Sequence, residues 1–138
     1  MAASPDELNK MQEVVQALGG IPIVQTADVH DRIAAATSHL PHLVSAALAS
    51  TVAQLLTDSR QVADFVGTGF SDTTRLAEGS PEVWLDVFLS NADNLGGSVE
   101  ELIATLQALA TALHEADSAA CERLLTEAQQ ARWRLTDQ

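Results

Sequence analysis

Residues 34–49 read AAATSHLPHLVSAALA, a run in which alanine and leucine dominate. Both residue types favour helix, and apolar side chains on several faces of such a helix indicate burial on more than one side. We therefore predict one long helix that Thr26 caps and that continues to about Leu56. Pro41 lies well inside this helix and has no backbone N–H, so we expect a kink there that opens a pocket.

The composition indicates a helical domain. The chain has 138 residues, of which 46% are hydrophobic and 4% aromatic, and it contains no tyrosine. This length is sufficient for a core, and the abundance of alanine and leucine makes helix the expected structure. We predict an all-α body over residues 26–138.

The first 25 residues have a different pattern. Ser4-Pro5-Asp6-Glu7 is typical of a helix start with a capping box, and Gly19-Gly20 should end that helix. Residues 21–24 then form an apolar run with a proline, which favours a single edge strand. A helix followed by a strand resembles the last unit of an α/β domain, so we interpret residues 1–25 as the tail end of a Rossmann-type nucleotide-binding domain.

The middle of the chain predicts a loop and a short helix. Gly67-Thr68-Gly69 should form the loop, Ser71 or Asp72 should cap the helix, and that helix should carry Arg75.

Two longer helices should follow. Ser80-Pro81-Glu82 predicts the start of the first, which Gly96-Gly97 should interrupt or bend. Asp117 or Ser118 should begin the last helix.

Charge restricts the possible partners. The formal net charge is −12, with only seven lysine and arginine residues. Such a chain repels phosphate backbones and anionic membrane surfaces, so we predict no nucleic-acid or membrane partner. No apolar run approaches the ~20 residues that span a bilayer. Cys121 is the only cysteine, which excludes an intramolecular disulfide and fits a cytoplasmic location.

Ser38, His39 and His42 fall within about one helical turn and share a face. Three interpretations are open for the two histidines: buried structural rings, a metal-binding pair, or part of a ligand site. A metal site would need further ligands at a recognisable spacing, and none is present, so we predict no metal.

Arg75 stands out because the chain has few cations. An arginine in a short helix is often a solvated surface charge, but its planar guanidinium also matches a carboxylate. Trp84 is ordinarily a core or interface aromatic.

The order and spacing of these residues resemble the C-terminal domain of prephenate and arogenate dehydrogenases. The resemblance rests on Ser38-His39-Leu40-Pro41-His42, on the stretch from Gly67 to Arg75, on Trp84 and on the upstream His30-Asp31-Arg32. It extends from about Ser4 to about Leu135. It implies an intertwined multi-helix domain that forms a homodimer.

The resemblance also implies roles for particular residues. The substrate-binding residues would be Ser38, His39, His42, Gly69, Arg75 and Trp84, and the supporting residues would be His30 and Asp72. The general base and the NAD or NADP site would lie in the N-terminal nucleotide-binding domain. These 138 residues hold no Gly-x-Gly-x-x-Gly, so we expect no catalytic or cofactor-binding residue in this chain.

The implied function is substrate binding and dimerisation in an enzyme that oxidatively decarboxylates prephenate to 4-hydroxyphenylpyruvate, in tyrosine biosynthesis. We expect the chain to be inactive without the cofactor domain. The alternative is a stand-alone helical module that binds an aromatic acid and regulates a partner enzyme. The residues leave open the choices of prephenate or arogenate and of NAD or NADP.

Overall fold

The computed structural model describes residues 4–56 and 64–136, and in these ranges all regular structure is helical. The all-α prediction is confirmed. The chain divides into two compact units, the first ending at His30 and the second beginning at Asp31. The predicted domain boundary after residue 25 stays a prediction.

Helix α1, Pro5–Ala17, begins with the predicted capping box. The Glu7 backbone N–H donates to the Ser4 hydroxyl over 3.4 Å, and the Ser4 backbone N–H donates to the Glu7 carboxylate over 2.8 Å. The Ser4 hydroxyl also donates to the Glu7 carboxylate over 2.8 Å, and the two bonds that the carboxylate accepts from the Ser4 backbone and side chain lower the pKa of Glu7. Gly19 follows the helix with φ of +82°, a conformation that glycine adopts easily.

Residues 20–26 form neither helix nor strand. The edge strand predicted at residues 21–24 is therefore wrong. A strand needs a neighbouring strand for its backbone hydrogen bonds, and the described parts of the chain contain none. The interpretation of this region as the end of a Rossmann-type domain stays a prediction.

The long helix forms as three consecutive segments: α2 (Ala27–Ala34), a π-helix (Ala35–His39) and α3 (Leu40–Leu55). The Thr26 hydroxyl accepts a hydrogen bond from the Val29 N–H, as predicted for a cap. Pro41 lies in the first turn of α3. The π-helix directly before it is a local deformation of the helix next to the proline, while the predicted kink and pocket stay predictions.

Helix α4 spans Thr68–Thr74 and leads into a 3₁₀-helix over Arg75–Glu78. Gly67 is its N-cap, and the Gly67 carbonyl accepts from the Ser71 N–H over 3.2 Å. The predicted loop at Thr68 and Gly69 is therefore wrong, and so is the cap at Ser71 or Asp72. The extended Gly67 backbone starts the helix several residues earlier than those side chains suggested.

The remaining helices are α5 (Pro81–Ser90), α6 (Ala92–His114) and α7 (Ser118–Thr136). The start of α7 is confirmed, because the Asp117 carboxylate accepts from the Ala120 N–H over 2.9 Å. The interruption expected at Gly96-Gly97 is wrong, since α6 runs through both glycines. The break lies at Asn91 (φ −132°, ψ 34°), whose side-chain hydrogen bonds hold it in place.

The described chain buries few large apolar side chains. Its buried apolar residues are Ala35, Leu95 and Ala112, while Leu85, Leu106 and Leu113 remain 56%, 54% and 70% exposed. No helix of the part that the structure describes has both the length and the apolar character to cross a membrane.

Candidate functional site

An aromatic stack between α3 and α5 forms the centre of the candidate site. The rings of His42 and Trp84 lie 3.6 Å apart between centroids and 17° from parallel. Phe88 lies four residues after Trp84 on the same face of α5, with its ring edge-on to His42 at 6.0 Å. His42 is only 5% exposed, whereas Trp84 is half-buried. Two distant helices thus place one imidazole against an indole.

Gly79 makes this stack possible. A Cβ atom at this position would lie 2.7 Å from Trp84 Nε1 and 2.8 Å from His42 Cε1. The φ of Gly79 is −65°, which any residue can adopt, so the requirement is for space and not for backbone freedom. The local sequence does not reveal this requirement, because the approach of α3 to α5 is a tertiary contact.

His42 is the buried titratable group of the site. Its Nδ1 is buried and has no hydrogen-bond partner among the described residues. Burial lowers the pKa of His42, because the imidazolium loses its hydration, so the ring is neutral near pH 7. A neutral imidazole tolerates a buried nitrogen without a partner better than an imidazolium would.

Ser45 attaches the segment of Arg75 to the helix that carries His42. Its hydroxyl accepts from the Ala77 N–H over 3.0 Å, and the Ser45 side chain is 1% exposed. Arg75 begins the same 3₁₀-helix and is itself exposed. Within residues 4–56 and 64–136, its guanidinium has no hydrogen-bond or ion-pair partner. It is therefore available to a carboxylate.

His39 ends the π-helix and is half-buried. Its Nδ1 lies 3.4 Å from Nδ2 of Asn91, and the same Nδ2 donates to the Asp31 carbonyl over 2.7 Å. Sequence reasoning missed Asn91, as it missed Ser45 and Gly79. An asparagine that follows a helix is common, and the sequence alone shows nothing of its distant partners.

The structure brings together some of the predicted site residues. It pairs His42 with Trp84 and packs the Arg75 segment against α3. Ser38 is exposed on the π-helix, and Gly69 and Asp72 are exposed on α4. An added Cβ at Gly69 would meet nothing within 4 Å, and His30 belongs to the first unit. The substrate-binding and supporting roles of all these residues stay predictions.

A cavity of about 330 Å³ opens beside Asn91. Asp31 and residues 89–94 line it, and none of the predicted site residues does. Among the residues that the structure describes, no three histidine, cysteine, aspartate or glutamate side chains are placed to hold a metal ion.

Known proteins similar to this chain are dehydrogenases of one family. The family model described as "Prephenate dehydrogenase, dimerization domain" matches residues 26–127. The cyclohexadienyl dehydrogenase of Zymomonas mobilis is 33% identical over 118 residues, which are 85% of this chain and 40% of the relative. The prephenate dehydrogenase of Lactococcus lactis is 27% identical over 127 residues, or 92% of this chain and 36% of the relative. The chain thus spans about two fifths of the length of these relatives.

Solved structures show the same similarity. The chain matches Synechocystis arogenate dehydrogenase with a TM-score of 0.84 and 28% identity, covering 96% of this chain and 49% of that one. It matches prephenate dehydrogenase from A. aeolicus, in complex with hydroxyphenyl propionate and NAD⁺, with a TM-score of 0.86 and 27% identity over 96% and 46% of the two chains. The chain therefore belongs to the family of prephenate dehydrogenase dimerization domains.

Proposed function

We propose that this chain is the substrate-binding and dimerisation domain of an NAD(P)-dependent prephenate dehydrogenase. The observation that carries the proposal is that helix α3 contacts both parts of the site. Its His42 stacks on Trp84, and its Ser45 hydroxyl accepts a hydrogen bond from the segment that begins with Arg75. The stack and the segment that begins with Arg75 thus contact the same helix, α3, in a chain of this family.

Prephenate has a ring and two carboxylates, and the site offers a group for the ring and one for a carboxylate. The Arg75 guanidinium offers parallel N–H donors to a carboxylate, while the half-buried indole of Trp84 offers a flat surface to the ring. The chemistry that a bound nicotinamide supplies is the acceptance of a hydride from the ring carbon that bears the hydroxyl group. The hydroxyl proton passes to a base, and the ring carboxylate leaves as carbon dioxide while its bonding electrons make the ring aromatic.

The cofactor and the general base belong, in this proposal, to an N-terminal nucleotide-binding domain. The A. aeolicus enzyme is in complex with NAD⁺, and the chain covers 46% of that protein. We expect the chain by itself to bind neither NAD nor NADP and to leave both unreduced when prephenate or arogenate is added. Reduced cofactor formed by the purified chain alone would contradict this part of the proposal.

The proposal includes a homodimer in the cytoplasm. Exposed leucines on α5 and α6, among them Leu85, Leu106 and Leu113, supply apolar surface that a second copy would bury. The family model is itself described as a dimerization domain. The single cysteine is compatible with a cytoplasmic location.

Calorimetric titration of the chain with hydroxyphenylpropionate, the ligand of the A. aeolicus complex, tests substrate binding. We expect Arg75→Ala to weaken binding about tenfold or more, because a charge-assisted hydrogen bond is worth about 1.5–3 kcal/mol. Arg123→Ala removes an equal charge from an exposed position of α7 and should leave binding unchanged. Equal losses in the two variants would show that Arg75 acts only through net charge.

A further inference from the structure

Asn91 connects three parts of the second unit at the break between α5 and α6. Its Nδ2 donates to the Asp31 carbonyl over 2.7 Å and lies 3.4 Å from His39 Nδ1. Its Oδ1 accepts from Asn94 Nδ2 over 2.8 Å. Asn91 is half-buried, and its backbone is neither helical nor strand-like.

The orientation of this amide follows from its partners. The Asp31 carbonyl can only accept a hydrogen bond, so the amide nitrogen of Asn91 must face it. The amide oxygen then faces Asn94 Nδ2, which donates to it. Both ends of the Asn91 side chain are fixed, and the amide cannot flip without losing both bonds.

The fixed amide determines the state of His39. Asn91 Nδ2 carries two N–H groups. One donates to the Asp31 carbonyl, and the other points to His39 Nδ1 as its acceptor. A ring nitrogen can accept this bond only if it carries no proton. The proton of the neutral imidazole must then lie on Nε2.

The Nε2–H group of His39 remains as a hydrogen-bond donor. Among the described residues Nε2 has no hydrogen-bond partner, and it is not one of the buried unpaired atoms. It therefore reaches the surface of the described structure as a donor. A donor at this position matches an acceptor such as a carboxylate or carbonyl oxygen.

We propose that Asn91 is a positioning residue that holds His39 as the Nε2–H tautomer, so that His39 donates a hydrogen bond to an oxygen of the anionic substrate. The substrate part of this inference rests on the proposed function and on the substrate-binding role that the family resemblance implies for His39. The tautomer part rests on the hydrogen-bond network alone.

Long-range ¹H–¹⁵N NMR of the ¹⁵N-labelled chain tests the tautomer directly. Spectra at about pH 8.5, some two units above the ordinary imidazole pKa, report neutral rings. His39→Gln assigns the His39 signals by their disappearance. We expect Nε2 of His39 in the protonated range and Nδ1 in the unprotonated range. The reverse pattern in the wild-type chain would overturn the proposal, whatever any variant does.

Asn91→Asp tests whether Asn91 imposes this state. A carboxylate can only accept, so the proton of His39 should move to Nδ1 and the ¹⁵N pattern should invert. Asn9→Asp adds the same charge on α1, at an exposed residue, and should leave the pattern unchanged. A variant Asn91→Asp that folds and keeps the Nε2–H pattern would show that Asn91 does not set the tautomer.

Titration with hydroxyphenylpropionate tests the donor role. We expect Asn91→Asp to weaken binding about tenfold and Asn9→Asp to bind as the wild type does. Unchanged binding by Asn91→Asp, with the tautomer inverted, would overturn the donor role. Failure of the wild-type chain to bind would contradict the proposed function, while the NMR result would still decide on the tautomer.

Discussion

His42 has an environment very different from that of a free side chain. It is stacked on Trp84 and almost fully buried, and one ring nitrogen has no partner in the described part of the chain. A neutral ring tolerates these conditions, but an imidazolium would lose its hydration. Its protonation is therefore coupled to folding.

Because burial lowers the pKa of His42, the unfolded chain takes up a proton at a higher pH than the folded chain. The contribution of His42 to the free energy of unfolding should be complete above about pH 6.5, the ordinary imidazole value, and should decline as the pH falls below it. Urea denaturation between about pH 8 and pH 5 measures this decline. His42→Phe keeps an aromatic ring in the stack but cannot take up a proton, so this variant should not show the decline.

His114→Gln is the control for this experiment. It removes a histidine that is exposed at the end of α6, so the decline should persist in this variant. If the free energies of unfolding of the wild type and of His42→Phe change in parallel with pH, the protonation of His42 is not coupled to folding in this range.

Gly79 supports a second prediction at this scale. Gly79→Ala places a methyl group within 2.8 Å of both stacked rings, and neither ring can move away without disrupting the stack. We expect a loss of about 1–3 kcal/mol in the free energy of unfolding, the usual cost of overpacking.

Gly97→Ala is the matched control for Gly79→Ala. An added Cβ at Gly97 meets nothing within 4 Å, and the residue lies inside α6, so alanine should stabilise by about 0.5–1 kcal/mol. Urea denaturation of the two variants should therefore give opposite signs. Stabilisation by both substitutions would show that the stack has more room than the structure indicates.

At the scale of elements, the position of the 3₁₀-helix depends on one buried hydrogen bond. Ser45→Ala would leave the Ala77 N–H without its partner, which should lower the free energy of unfolding by about 1–3 kcal/mol. The variant should also weaken the binding of hydroxyphenylpropionate, because Arg75 begins the segment that this bond holds. Ser50→Ala, at an exposed position of the same helix, should change neither quantity.

The sequence predicted correctly those elements whose interactions join residues close together in the chain. The capping box of Ser4 and Glu7 and the Asp117 cap lie within three residues of their partners, so local pattern sufficed. The break at Asn91 depends on a bond to Asp31, 60 positions away, and the 3₁₀-helix depends on a bond from Ala77 to Ser45, 32 positions away. No local pattern contains these pairs.

The same distinction applies to the candidate site. His42 and Trp84 were identified from a family motif, and the structure stacks them. The sequence did not identify Gly79, Ser45 and Asn91, because each acts through a contact with an element that is distant in the chain. A sequence shows which residues have reactive or charged side chains. It does not show which residues position them, because that depends on tertiary contacts.

At the scale of the whole molecule, the described chain leaves a large apolar surface in water. Besides the leucines of α5 and α6, Leu125 and Trp133 of α7 are 65% and 55% exposed. Soluble monomers rarely expose apolar side chains in such number on consecutive helices. A second copy of the chain is the occupant that the family description favours.

Leu106→Glu tests this dimer. Leu106 is 54% exposed on α6, so a monomer should tolerate the substitution, whereas burial of an unpaired carboxylate in an interface costs several kcal/mol. We expect the wild type to sediment as a dimer and Leu106→Glu to dissociate at micromolar concentration with its helical circular dichroism unchanged. Gln107→Glu adds the same charge at the next, exposed position and should remain a dimer. Dissociation of both variants would assign the effect to net charge, and a monomeric wild type would contradict the dimer.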